Sequence, residues 1–115
     1  MASYLIQISY TSEAWASLVK HPHDRVEAVG KVVEKLGGKV GNFWGAFGDY
    51  DLIGILEMPD NVSAAAFSVA VAAGGSCKHV KTTPLLSMSE AIKAMKKAGN
   101  SGYQPVGEKH EKKKK

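Results

Sequence analysis

The sequence predicts an α+β domain in which strands and helices follow the order β-α-β-β-α-β, with one further helix after the last strand. Three observations carry this expectation. The stretch Asn42 to Pro59, NFWGAFGDYDLIGILEMP, reads as two strands joined by a tight turn. The residues before it read as one strand followed by helix, and those after it as a helix followed by a strand. The chain has 115 residues, 44% of them apolar, which suits one domain with a single core.

In the central hairpin the first strand is expected over about Lys39 to Ala46. Phe47-Gly48-Asp49 forms the turn, because glycine and aspartate tolerate a sharp reversal. The second strand, about Tyr50 to Met58, is rich in Ile, Leu and Tyr, and Pro59 stops it because proline cannot donate to a ladder. Upstream, Ser3 to Tyr10 alternates, with Tyr4, Ile6, Ile8 and Tyr10 on one face and Leu5, Gln7 and Ser9 on the other. Thr11 or Ser12 caps a short helix carrying Trp15, Leu18 and Val19, and His21-Pro22 interrupts it. A longer helix restarts near Pro22 or Asp24, with Val26, Val29, Val33 and Leu36 at helical spacing and Gly37-Gly38 as its stop.

Downstream, Asp60 or Asn61 caps an alanine-rich helix whose stripe is expected to be Val62, Ala65, Ala66, Val69 and Ala73. Small side chains there either bring the helix close to the sheet or leave space beside it. Gly74-Gly75 ends it, and Ser76 to Leu86 reads as the fourth strand. Ser87 and Glu90 form a capping box for a last helix to Ala98, with Met88, Ala91, Ile92 and Met95 expected to face the body. Residues 1–99 thus form the domain, and residues 100–115 are expected to be a flexible, lysine-rich tail.

The formal charge is +4, but the last eight residues carry +3 of it, so the body is close to neutral and does not suggest a nucleic-acid surface. One cysteine, Cys77, excludes an internal disulfide. No apolar run approaches the roughly 20 residues that span a bilayer. The N-terminus lacks the basic start of a signal peptide, so a cytoplasmic location is expected. Phosphate-loop, dinucleotide, Ser-His-Asp and CxxC patterns are missing, and no cofactor or metal is expected.

Two helices on one side of four strands leave the other sheet face open. That face carries apolar residues too, Leu5 on the first strand and Ile53 and Ile55 on the third. Hiding a few hundred Å² of it at roughly 25 cal/mol per Å² is worth several kcal/mol. A homo-oligomer packed sheet on sheet, a dimer or higher, is therefore expected.

Several segments resemble the GYD-domain family. They are Phe47-Gly48-Asp49-Tyr50-Asp51-Leu52, Glu57-Met58-Pro59-Asp60, the alanine-rich helix with Phe67 and Gly74, and upstream Arg25-Val26-Glu27-Ala28-Val29 and Leu36-Gly37-Gly38-Lys39. The likeness covers about residues 3 to 98, although Asp49 stands between Gly48 and Tyr50 where the family has a Gly-Tyr-Asp triplet. The resemblance implies a ferredoxin-like fold of the dimeric α+β-barrel type and implies no reaction. Small monooxygenases, isomerases and haem enzymes share that broader fold, so the fold leaves the chemistry open.

The candidate chemistry is sparse. Asp51, on the same strand face as Ile53 and Ile55, would sit in an apolar setting suited to a general acid or base, with Tyr50 on the opposite face. Asp49 and Asp51 equally suit shaping the hairpin turn or hydrogen-bonding backbone amides. His79 shares a face with Cys77 and Lys81 in an extended strand and could shuttle protons or ligate haem or metal, but Cys-x-His is far from a complete zinc site and a solvated histidine fits as well. His21-Pro22-His23-Asp24 has ligand-type residues at a helix break, where polar residues are ordinary. Tyr4, Trp15, Phe43, Trp44 and Phe47 are either core or the lining of an apolar pocket between helices and sheet. Arg25, the single arginine, could clamp an acidic group on a ligand or simply be exposed on its helix. Three functions follow: binding of a small apolar or aromatic molecule between helices and sheet, a cofactor-independent isomerase or monooxygenase using Asp51, His79 and Tyr50, or structural self-assembly.

Overall fold

A computed structural model describes residues 1–107. It divides into two compact units, the first spanning Met1–Leu85 and the second beginning at Leu86. The lysine run Lys112 to Lys115 lies outside the described residues. The first unit contains β1 (Ala2–Tyr10), α1 (Ser12–Lys20), α2 (Val26–Lys35), β2 (Lys39–Gly45), β3 (Leu52–Met58), α3 (Asn61–Ala73) and β4 (Cys77–Pro84). The four strands form one antiparallel sheet in the order β2-β3-β1-β4, a ferredoxin-like α+β arrangement.

Local chemistry sets the boundaries. Thr11 caps α1 by accepting from the Ala14 amide, and Asp60 caps α3 by accepting from Ser63. Asp24 Oδ1 takes the Val26 amide at the start of α2. That helix ends in paired bonds from Gly38 N to Val33 O and from Gly37 N to Glu34 O, a Schellman closure that needs the φ of +86° at Gly37. Several ends differ from the expectation. The hairpin turn is longer, leaving Tyr50 and Asp51 ahead of β3, and β4 is shorter at both ends than Ser76 to Leu86.

The core lies on the helix side of the sheet. Tyr4, Ile6 and Ile8 of β1 and Leu52, Leu56 and Met58 of β3 point there and meet Val33 of α2 and Ala64 and Phe67 of α3. Phe67 is fully buried. The expected α3 stripe is displaced: Val62 and Val69 are mostly exposed at 79% and 66%, and the helix turns Ala64, Phe67 and Val71 toward the sheet. The cause is that α3 is apolar nearly all round. Periodicity therefore selects no face, and burial of its one aromatic ring does.

Two bulges reassign faces. Between Val40 and Phe43, β2 has one residue more than β3, so Val40 and Phe43 both sit on the helix side opposite Leu56 and Gly54. Phe43 lies over Gly54, where an added Cβ would run into its ring. Between Ser9 and Tyr10 the β1–β4 register also shifts, pairing Ser9 with His79 but Tyr10 with Cys77. Cys77 therefore does not share a face with His79 and Lys81, as simple alternation predicts; the extra residue turns it to the helix side.

The opposite face carries the cross-strand rows Trp44–Ile53–Gln7–Lys81 and Ile55–Leu5–Thr83. Leu5, Ile53 and Ile55 are half-buried there and Trp44 is 56% exposed. In the second unit, α4 (Met88–Gly99) begins with the expected capping box between Ser87 and Glu90. Its apolar residues Met88, Ile92 and Met95 are exposed.

Two outcomes follow from this geometry. Leu52→Asp places a charge in the helix-side core and should lower unfolding free energy by about 4 kcal/mol in urea titration, whereas Ile53→Asp, one residue away on the open face, should cost under about 1 kcal/mol in the isolated chain. Gly54→Ala should cost about 2 kcal/mol or more, and combining it with Phe43→Ala should give a loss smaller than the sum of the two singles.

Candidate functional site

The helix-side core thins toward one end of the sheet. The strand termini there are Ile8 and Tyr10 of β1, Leu52 of β3 and Cys77 of β4. Opposite them stand the first turns of α2, with Arg25, Ala28, Val29 and Val32, and the last turns of α3, with Phe67, Ala70, Val71 and Gly74. Large side chains fill the gap at Phe67, but beyond it α3 offers only Ala70, Val71 and Gly74, and α2 offers Ala28. The result is a cavity of about 230 Å³ with a mostly apolar wall. Of the two roles small residues could play in α3, leaving space is the one realised here.

The polar atoms of this cavity are few. Tyr10, at the end of β1, packs edge-on against Trp15 at 5.4 Å between ring centroids and an interplanar angle of 84°. Burial raises the Tyr10 hydroxyl above the ordinary phenol range, with nearby Cys77 adding to the rise and Arg25 opposing it. Burial likewise raises the Cys77 thiol, again opposed by Arg25. Among the described residues no aspartate or glutamate lines the cavity, and Arg25 is the single charged residue in its lining. Tyr10, Arg25 and Leu52 also line an adjoining, more open recess of about 380 Å³, together with Trp15, Leu18, His23, Phe43 and Trp44.

The expected ligand residues divide accordingly. Arg25 lines both spaces, and Trp15 and Trp44 line the open recess. Tyr4 is a core residue at the other end of β1, its hydroxyl donating to Asn61 Oδ1 at 2.6 Å. Phe47 is fully exposed in the β2–β3 loop. Sequence reasoning did not single out Tyr10, Ala28, Ala70 or Gly74 for the cavity. The available signals were the fourth member of the apolar face of β1 and the run of small residues at the end of α3.

The expected catalytic residues are not brought together. Asp51 N donates to Ile8 O at 2.7 Å, and Asp51 Oδ2 accepts from Tyr10 N at 2.9 Å, so its carboxylate continues the β1 ladder where β3 has not yet begun. Ser9, buried on the open side, donates to Asp49 O at 2.8 Å and pins the same loop. Tyr50 is half-buried in that loop, and His79 is exposed on the sheet face opposite the cavity. His23 Nδ1 lies 2.8 Å from His21 O. Among the described residues, no three His, Cys, Asp or Glu side chains gather where they could hold a metal ion. Among them, too, no helix is long and apolar enough to cross a membrane.

Comparison with known proteins agrees with the topology and leaves the chemistry open. No curated protein and no solved structure gave a match. The GYD domain family model matches residues 4–95, from the third residue of β1 through β4 and into α4, and the chain belongs to the GYD-domain family.

Proposed function

We propose that this GYD-domain protein is a small homo-oligomeric binding protein that holds a small apolar or aromatic molecule between its helices and sheet. The observation that carries the reading is the 230 Å³ cavity bounded by α2, α3 and the strand ends. An engineered apolar cavity of about 150 Å³ is large enough for benzene, so a space half as large again suits one ring with a short substituent. Binding rather than catalysis is assigned because Asp51 is engaged with a backbone amide and His79 lies on the other sheet face.

The reading extends to assembly. A second copy covering Leu5, Ile53, Ile55 and Trp44 would remove an apolar patch from water, in the manner of a dimeric α+β barrel. It also extends to a reducing, cytoplasmic setting, supported by the free thiol of Cys77 in the cavity wall.

Native mass spectrometry of freshly purified protein should show a multiple of the 12.3 kDa chain with a small adduct lost on denaturation. Ala28→Leu, which projects into the cavity, should abolish the adduct while leaving thermal stability equal or higher. Cys77 reports on the same space: its alkylation by iodoacetamide should be slow at neutral pH and accelerate only above about pH 8.5, the ordinary thiol value. Because the folded state keeps this proton longer than the unfolded state does, the stabilisation is complete below that pH and is lost as pH rises through the raised folded value. Ile53→Asp should halve the assembly mass, and an unchanged mass would remove the sheet-face contact from the proposal.

A further inference from the structure

The cavity does more than exclude water from an apolar ligand; its one charge restricts which ligand fits. This step rests on the binding reading above. Arg25 stands ahead of α2 as its N-cap residue; its carbonyl accepts from Val29 N, but its side chain makes no capping bond. That task falls to Asp24, whose Oδ1 takes the Val26 amide. Arg25 is exposed and lines both the cavity and the more open recess, and its charge is felt at both Tyr10 and Cys77. Behind it the wall is built from Val29, Val32, Leu52, Phe67 and Val71, and among the described residues no carboxylate lines it; Asp24 lines the adjoining recess instead.

A molecule that complements this arrangement has an apolar body and one negative charge at its end. The guanidinium presents a planar fork of donors that matches a carboxylate in two-point contact. We infer that the cavity binds a small aromatic monocarboxylic acid, its ring against Leu52, Phe67 and Val71 and its carboxylate at the mouth on Arg25. The Tyr10 hydroxyl is then the neutral donor available to the second carboxylate oxygen. A phosphate ester suits the site less well, because a dianion would meet one cation and no second basic side chain in the lining.

The test compares phenylacetate with phenethyl alcohol, which keeps the ring and chain but lacks the charge. Binding to the full chain is measured by calorimetry and by protection of Cys77 from iodoacetamide. Wild-type protein should bind phenylacetate about tenfold more tightly than the alcohol, the size of a charge-assisted bond at a half-exposed site. Arg25→Gln should remove that preference and leave alcohol binding unchanged, with the circular dichroism and melting curve of the wild type. Higher salt should weaken phenylacetate alone. Equal binding of both probes, with no effect of R25Q, would overturn the carboxylate assignment and leave the cavity reading standing. Loss of both probes in R25Q would show Arg25 to be structural and also overturn it. Failure of both probes on the wild type, with Cys77 unprotected, would sink the cavity reading and the carboxylate with it.

Discussion

The rotation of α3 is the constraint on which the remainder of the first unit depends, and the ring of Phe67 sets it. The helix offers apolar side chains in every direction, so no amphipathic contrast orients it. Burying one phenyl ring fully is worth about 2–3 kcal/mol, and no alanine competes with that. Once Phe67 is under the helix, Ala64 follows toward the sheet one turn earlier, and Ser68 reaches Thr82 of β4. The same rotation carries Val62 and Val69 outward and leaves Ala70, Val71 and Gly74 over the strand ends. The cavity is a direct consequence: it begins where the only large side chain on α3 stops.

The sheet contributes the second half of that space through its irregularities. A bulge at Ser9 and Tyr10 turns Cys77 into the cavity and keeps His79 out. Another in β2 brings Phe43 back to the helix side, where Gly54 receives its ring. Asp51 replaces a missing ladder partner for Tyr10, which holds that residue at the cavity edge. Its negative charge also adds to the rise of the Tyr10 hydroxyl above the ordinary phenol range. The β1–β4 bulge sits at the end of its ladder, whereas the β2 bulge has paired residues on both sides; each re-aims the side chains beside it.

How far the chain could be read without coordinates depends on whether a feature is local. The Ser87–Glu90 box, the Gly37-Gly38 closure, the Asp60 cap and the alternation of β1 are encoded within a few residues, and all were legible. The central strands were legible because their apolar faces are long. The α3 face was not, since its pattern has no polar side to read. The side of Cys77 was not, because one inserted residue inverts an alternation and nothing in Cys-Lys-His marks the insertion. For Asp51 the general acid or base role was read from Ile53 and Ile55, while the alternative, a hydrogen bond to a backbone amide, is the one found, with Tyr10 across the sheet as the partner that sequence could not name. For α4 the sequence shows an amphipathic stripe but not what covers it.

The electrostatic character of the cavity follows from the same packing. Tyr10 and Cys77 are weak acids, and desolvation by the surrounding apolar wall is the main reason each holds its proton more firmly than it would in water. Near neutral pH both are therefore uncharged, and among the described residues the lining includes the hydroxyl residues Tyr10 and Ser76, the thiol of Cys77 and the guanidinium of Arg25. Had Cys77 remained beside His79 on the open face, the space would have lost its thiol. Had Asp51 pointed into it, the positive charge of Arg25 would have met an internal counter-ion. Instead the carboxylate is drawn to the Tyr10 amide, and the cation at the mouth is left facing an apolar interior. A wall that neutralises its own acids and keeps one base at the rim selects by charge at the entrance and by shape within.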